Sequence, residues 1–228
     1  MAALSEAPRR SGGEPRAGTR AFRGATEIKV TQPFKIVLVN PYELGRQPFA
    51  LAEAAAWLNR AGFAVTCLDL SLQKLDGELL EDAGLVALYV GMHTATRIAV
   101  QALPRIKQLV PKAHLCVYGL YAPMNEALLR RLGVGTVLGG EVEPALLSLC
   151  ERLRVNGKPV TQSDSGIHLA RVPFEVPDRT GLPKLSRYAH LVLPDGSTRV
   201  AGFAEGSRGC KHLCRCLLYT SPSPRDTR

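Results

Sequence analysis

Between residues 34 and 154, short apolar runs alternate with helical segments, and this alternation limits the folds open to the chain. The runs are 34–39, 63–70, 85–90, 114–118 and 136–138. Between and after them lie 48–60, 75–82, 96–110, 123–131 and 142–154, several with apolar residues at three- and four-residue spacing. A strand with one wet face alternates apolar and polar side chains, whereas Ile36-Val37-Leu38-Val39 and Leu85-Val86-Ala87-Leu88-Tyr89-Val90 are continuous. Such strands are buried on both faces, which calls for a parallel sheet with helices on each side and right-handed crossovers. Five strands point to an α/β fold of flavodoxin-like (Rossmann-like) order. Its ligand crevice lies at the carboxyl ends of the strands, near the switch point between the first and third.

Composition and charge narrow the function classes. The 228 residues are 46% apolar and 21% charged, which excludes a wholly disordered or collagenous chain. The net charge of +9 divides evenly: residues 1–33 carry 6 Lys/Arg and 3 Asp/Glu, residues 205–228 carry 5 and 2, and the middle carries 18 and 15. The excess density is therefore at the ends, with no basic stripe of the kind a nucleic-acid surface needs. No apolar run is long enough to span a membrane, and the N-terminus lacks the apolar core of a signal peptide. A cytoplasmic protein with no nucleic-acid or membrane partner is the expectation.

Domain organisation follows from shifts in composition. Residues 1–32 have no apolar period and read as a disordered leader; Glu6, Glu14 and Glu27 argue against a transit peptide. Residues 33–154 form the α/β domain, and 155–187, marked by Gly157, Pro159, Pro173, Pro177 and Pro183, read as a linker. Asp195-Gly196 between two extended runs predicts a hairpin whose second strand leads straight into Glu205, so that 188–216 begins a second domain. Cys67, Cys116 and Cys150 lie in apolar stretches as core thiols. Cys210, Cys214 and Cys216 fall within seven positions, which in a cytosolic protein favours a metal or cluster site over a disulfide framework. Gly206 and Gly209 let the backbone wrap a bulky cluster, and Arg208, Lys211 and Arg215 favour thiolates. From spacing alone, a zinc half-site or two unligated thiols remains open.

The segment Glu205-Gly206-Ser207-Arg208-Gly209-Cys210-Lys211-His212-Leu213-Cys214-Arg215, behind a five-strand α/β domain, resembles the entrance to a radical S-adenosylmethionine (radical SAM) barrel. That resemblance implies a 4Fe-4S cluster held by three thiolates of a C-x-x-x-C-x-x-C loop. The fourth iron site is left for S-adenosylmethionine, whose reductive cleavage yields a 5'-deoxyadenosyl radical. Gly139-Gly140-Glu141-Val142-Glu143-Pro144-Ala145-Leu146 is similar to the stretch that closes the last strand of the cobalamin-binding module preceding such barrels. The resemblance covers roughly residues 34–215. It implies an enzyme performing methyl transfer or another radical reaction on a small-molecule or unknown substrate, supplied by an electron donor. The alternative is a non-catalytic α/β ligand-binding module with a cysteine-bearing tail.

Two departures from the family pattern are visible. The third cysteine is expected at Leu217, while Cys216 sits one position early. Residues 217–228, with two Ser-Pro pairs and no apolar period, resemble a translated sequencing-adapter tail. The metal ligands implied are Cys210 and Cys214, with Cys216 out of register, in a truncated chain that is inactive alone. After the first strand, the D-x-H-x-x-G of base-off cobalamin modules corresponds to Asn40-Pro41-Tyr42-Glu43-Leu44-Gly45, so Tyr42 occupies the place of the axial histidine. A phenol with pKa near 10 is a poor replacement for imidazole. The crevice candidates are Asn40, Tyr42, Gly45, Gly91, His93, Thr94, Gly119, Gly139, Gly140 and Glu141, all at the carboxyl ends of strands. His93 suits a polar rim better than a metal.

Overall fold

The computed structural model describes residues 34–156, 165–206 and 208. In chain order the elements are β1 (Lys35–Asn40), α1 (Phe49–Arg60), β2 (Ala64–Asp69), α2 (Gly77–Leu80), β3 (Ala83–Tyr89), α3 (His93–Leu109), β4 (His114–Tyr118), α4 (Glu126–Arg131), β5 (Thr136–Gly140) and α5 (Glu143–Asn156). They are followed by β6 (Gly166–His168) and an antiparallel hairpin of β7 (His190–Val192) and β8 (Thr198–Val200). The first sheet is wholly parallel, in the order β2-β1-β3-β4-β5-β6. Its first five strands follow the flavodoxin-like order anticipated from the apolar runs. No helix among the described residues is long and apolar enough to cross a membrane.

Double burial explains the continuous apolar strands. Successive side chains of a strand point to opposite faces. Ile36 and Leu38 accordingly join one core with Leu51, Ala54, Ala55 and Leu58 of α1 and Leu146, Leu149 and Leu153 of α5. Val37 and Val39 join the other, with Leu80 of α2, Ala99, Leu103 and Ile106 of α3 and Leu129 of α4. All four β1 side chains are fully buried. The alanines of α1 let its backbone approach the sheet closely, which leaves little room for a larger side chain on that face.

The sheet exceeds the expected five strands by one. The three residues of β6 are too few to show a period, so composition alone marked their neighbourhood as a connection. They add to β5 through the pairs Leu138↔Gly166, Gly139↔Ile167 and Gly140↔His168. Gly140 has φ +74° and a Cβ there would strike the His168 carbonyl, so glycine is what allows this pairing to continue to the strand end. The hairpin differs in a second respect, because β8 ends at Val200 and the chain from Ala201 to Glu205 is irregular. Its turn is closed by Asp195, whose Oδ1 accepts from the Ser197 amide at 2.9 Å and hydroxyl at 2.6 Å.

The segment after β6 packs back on the domain. The Asp178 amide donates to the Ala52 carbonyl of α1 at 2.9 Å, the Asn59 Nδ2 donates to Asp178 at 2.7 Å, and Leu182 enters the core beside Cys67. Tyr188 is buried and donates its hydroxyl to Asp69 Oδ2 at 2.8 Å. Tyr188→Phe leaves one carboxylate oxygen of the fully buried Asp69 without that donor, and is expected to destabilise the fold by about 1–3 kcal/mol. Urea denaturation followed by circular dichroism measures this; an unchanged midpoint would show that the contact adds nothing.

Candidate functional site

A sheet buried on both faces can present polar chemistry only where its strands end. At the end of β1, Asn40 is fully buried and donates from Nδ2 to Asp69 Oδ1 at 2.9 Å; its own Oδ1 has no hydrogen-bond partner among the described residues. Asp69 ends β2, so the pair bridges two strand termini beneath Tyr188. Burial and the bond to Asp69 hold the Tyr188 hydroxyl well above the usual phenol range, and it stays a donor. Asn40 is therefore part of a covered polar contact.

The loop from β1 to α1 turns through Leu44 and Gly45, both with positive φ. The Gly45 carbonyl accepts from the Ala189 amide at 2.8 Å. Tyr42 is half-buried in the same loop. At the end of β3, the Tyr89 side chain fills the space in front of two candidate glycines: a Cβ at Gly91 or Gly119 would collide with its ring or hydroxyl. Gly139 is closed in the same way by the ring of Pro123. His93 and Thr94 are exposed at the start of α3.

The dominant feature is a group of carboxylates around one guanidinium. Arg208 Nη1 donates to Glu141 at 2.7 Å and to Glu143 Oε2 at 2.9 Å, while Nη2 donates to Glu143 Oε1 at 2.7 Å and also to Glu53. Glu205 lies 3.8 Å from Arg208 Nε, and the Phe174 ring stacks under the guanidinium at 5.3 Å. Glu53 comes from α1, Glu143 opens α5 and Glu141 lies in the turn between β5 and α5. The site thus sits on the α1/α5 face at the carboxyl end of the sheet, close to the β1/β3 switch point.

Electrostatics decide how this group can exist. Glu53 and Glu143 have side chains only 1% and 3% exposed, and unpaired ions there would cost several kcal/mol each. Arg208 is 21% exposed and forks onto both oxygens of Glu143. Burial works against its charge, but the surrounding carboxylates outweigh this and push its pKa upward. One cation cannot balance four carboxylates, so Glu53 responds: burial, opposed by Arg208 and reinforced by Glu143 and Glu205, raises it to about 7. Burial also raises Glu205 and Glu43, with Arg208 and Arg46 respectively opposing it.

At four of the candidate glycines the space a Cβ would take is already occupied: by Tyr89 at Gly91 and Gly119, by Pro123 at Gly139 and by His168 at Gly140. Cys210, Cys214 and Cys216 lie outside the described residues. Among the described residues, no group of three or more His, Cys, Asp or Glu side chains is arranged to hold a metal ion. Cys67, Cys116 and Cys150 are free and buried, and burial pushes the Cys67 and Cys150 thiols up to about 12, which keeps them unreactive.

Sequence reasoning put Glu141 at the crevice and singled out Arg208 as a charge beside the cysteines. It missed Glu53, Glu143, Tyr89 and Tyr188 as parts of the site. Glu53 carries a readable signal, an acid set in the apolar run Leu51-Ala52-Glu53-Ala54-Ala55. On a helix facing a sheet, such an acid requires a buried cation from elsewhere.

No family model matches the chain, and no curated protein matches it. Among solved structures it is similar to the radical S-adenosylmethionine methyltransferase TsrM from Kitasatospora setae. With tryptophan substrate and the SAM analogue aza-SAM bound, that structure aligns at a TM-score of 0.45 and 22% identity, over 54% of this chain and 26% of that one. With cobalamin and a 4Fe-4S cluster bound, the values are 0.42, 24%, 54% and 27%. This chain spans about a quarter of the length of those proteins.

The raised Glu53 pKa has a direct consequence for stability. The folded state holds its proton more tightly than the unfolded chain, so the contribution is full below pH 4.5 and is lost as pH rises through about 7. Relative to Glu53→Gln, the wild-type chain should lose on the order of 1–3 kcal/mol between pH 4.5 and 7.5. Urea melts of both proteins across that range test it; parallel pH profiles would contradict the assignment.

Proposed function

We propose that this chain has a radical SAM function: an α/β domain of cobalamin-binding type joined to a cysteine-bearing segment of the kind that holds an iron–sulfur cluster. The observation that carries this reading is the position of Arg208. It belongs to the Arg208-Gly209-Cys210 run that resembles the cluster loop, and it is held at the carboxyl end of the sheet, where α/β folds bind ligands. Cys210 and Cys214 are the ligands this chain offers to iron, and S-adenosylmethionine is the co-substrate, cleaved by one electron from an external donor. The substrate is a small molecule or one of unknown class, and the reaction is methyl transfer or another radical step.

The closed crevice favours a second reading of the α/β domain alone, in which it keeps the cobalamin-module fold without binding a corrinoid. Hydroxocobalamin added to the chain separates the two. The first reading expects binding with no protein nitrogen on cobalt, since Tyr42 stands where the axial histidine would be. It therefore also expects cob(II)alamin resonance lines without triplet splitting.

Iron–sulfur reconstitution tests the class itself. Leu217→Cys restores the C-x-x-x-C-x-x-C spacing and should allow anaerobic assembly of a four-iron cluster. After reduction, its electron paramagnetic resonance signal should shift on addition of S-adenosylmethionine. The unaltered chain is expected to assemble the cluster poorly. Stoichiometric zinc binding with no such signal from the Leu217→Cys protein would refute the radical SAM assignment.

A further inference from the structure

The last row of side chains on the α1/α5 face of the sheet is polar. One row earlier, Cys67, Leu38, Ala87 and Cys116 lie side by side across β2, β1, β3 and β4 and belong to the α1/α5 core. Alternation brings the residues two positions further on, Asp69, Asn40, Tyr89 and Tyr118, to the same face. Asp69 is paired with Asn40 and Tyr89 with Tyr118, and the Asn40–Tyr89 neighbours follow the Val39↔Leu88 pair by one step. The two phenol rings pack at 5.5 Å between centroids.

One end of this row is saturated and the other is not. Asp69 accepts from Asn40 Nδ2 at 2.9 Å, from the Ser71 amide at 3.0 Å and from the Tyr188 hydroxyl at 2.8 Å. Because its nitrogen is held by the carboxylate, the Asn40 amide has one orientation, and Oδ1 is presented as a fixed acceptor. That oxygen and the Tyr118 hydroxyl are fully buried and have no hydrogen-bond partner among the described residues. The Tyr89 hydroxyl likewise bonds to no other described residue. On the opposite face, none of α2, α3 and α4 carries a buried side-chain polar atom without a partner among the described residues. Unpaired polar atoms are costly in a core, and here two of them share one row.

We propose that this row is a binding site for internal water, held by the Asn40 side-chain carbonyl and the hydroxyls of Tyr118 and Tyr89. The occupant must donate to Asn40 Oδ1, while each phenol can donate or accept, and water satisfies both demands. It must also be neutral. Asp69 already has three donors, so an ion in the row would exchange its hydration for dipoles alone. It must be small, because Asn40 and Tyr118 are inaccessible from outside and the Tyr89 ring takes up the space in front of Gly91 and Gly119. The site lies within the α/β domain and is independent of the chemistry proposed for the cysteine-bearing segment.

Magnetic relaxation dispersion of the water oxygen nucleus detects long-lived internal water in the full 228-residue chain. Tyr118→Phe should reduce the dispersion amplitude by about one water molecule. Tyr89→Phe is a second variant with the same loss expected, and Tyr121→Phe, altered on a side chain packed against the opposite core, should leave the amplitude unchanged. The urea midpoint adds a sign. A hydroxyl that holds water stabilises the fold, so Tyr118→Phe lowers the midpoint, whereas loss of an unpartnered hydroxyl relieves its desolvation and raises it. An amplitude unchanged in either of the first two variants, or a raised midpoint for Tyr118→Phe, would overturn the site.

Discussion

The central strands are buried on both faces, and the rest of the molecule is arranged around that constraint. With Ile36 and Leu38 packed under α1 and α5, and Val37 and Val39 under α2, α3 and α4, neither face of the sheet offers a place for a polar group. Along these strands the backbone pairs in the parallel ladder, because an unpaired buried amide or carbonyl costs as much as a lost hydrogen bond. Polar and ionisable side chains are displaced to the strand ends. Asn40, Asp69, Glu141 and Glu143 all lie there, at or just beyond the carboxyl termini of their strands.

Crowding acids at one end of a sheet creates an electrostatic problem that must be solved locally. Glu53 and Glu143 are nearly inaccessible, and their mutual repulsion in a low-dielectric setting exceeds what a surface pair would feel. Two devices answer it. Arg208 supplies a cation able to bond several carboxylates at once, and Glu53 takes up a proton near neutral pH. Neither alone balances the charge.

The segment after β6 extends the same logic to the crevice. Tyr188 covers the Asn40–Asp69 contact, and Phe203 and Phe174 pack around Phe49 at the start of α1. Small residues at strand ends leave space, and in this chain Tyr89, Pro123 and His168 take it up. A glycine-lined crevice is thus a property of backbone shape, and whether it is open depends on which side chains of the same molecule reach it.

How much was legible in the sequence follows from the range of the interactions. Uninterrupted runs such as 36–39 and 85–90 determined double burial, hence a parallel sheet with helices on both faces, because side-chain period and burial are local consequences of sequence. The Asp195-Gly196 turn was legible for the same reason, since its hydrogen bonds stay within the five residues from Leu193 to Ser197. The strand order was inferred from the number of units and the right-handed crossover rule. Only the tertiary structure decided that β6 joins β5, that Tyr188 meets Asp69, and that Arg208 finds Glu53. These pairings join residues 28, 119 and 155 positions apart. No period or spacing encodes them, because a buried charge specifies the sign of its partner and not its place in the chain.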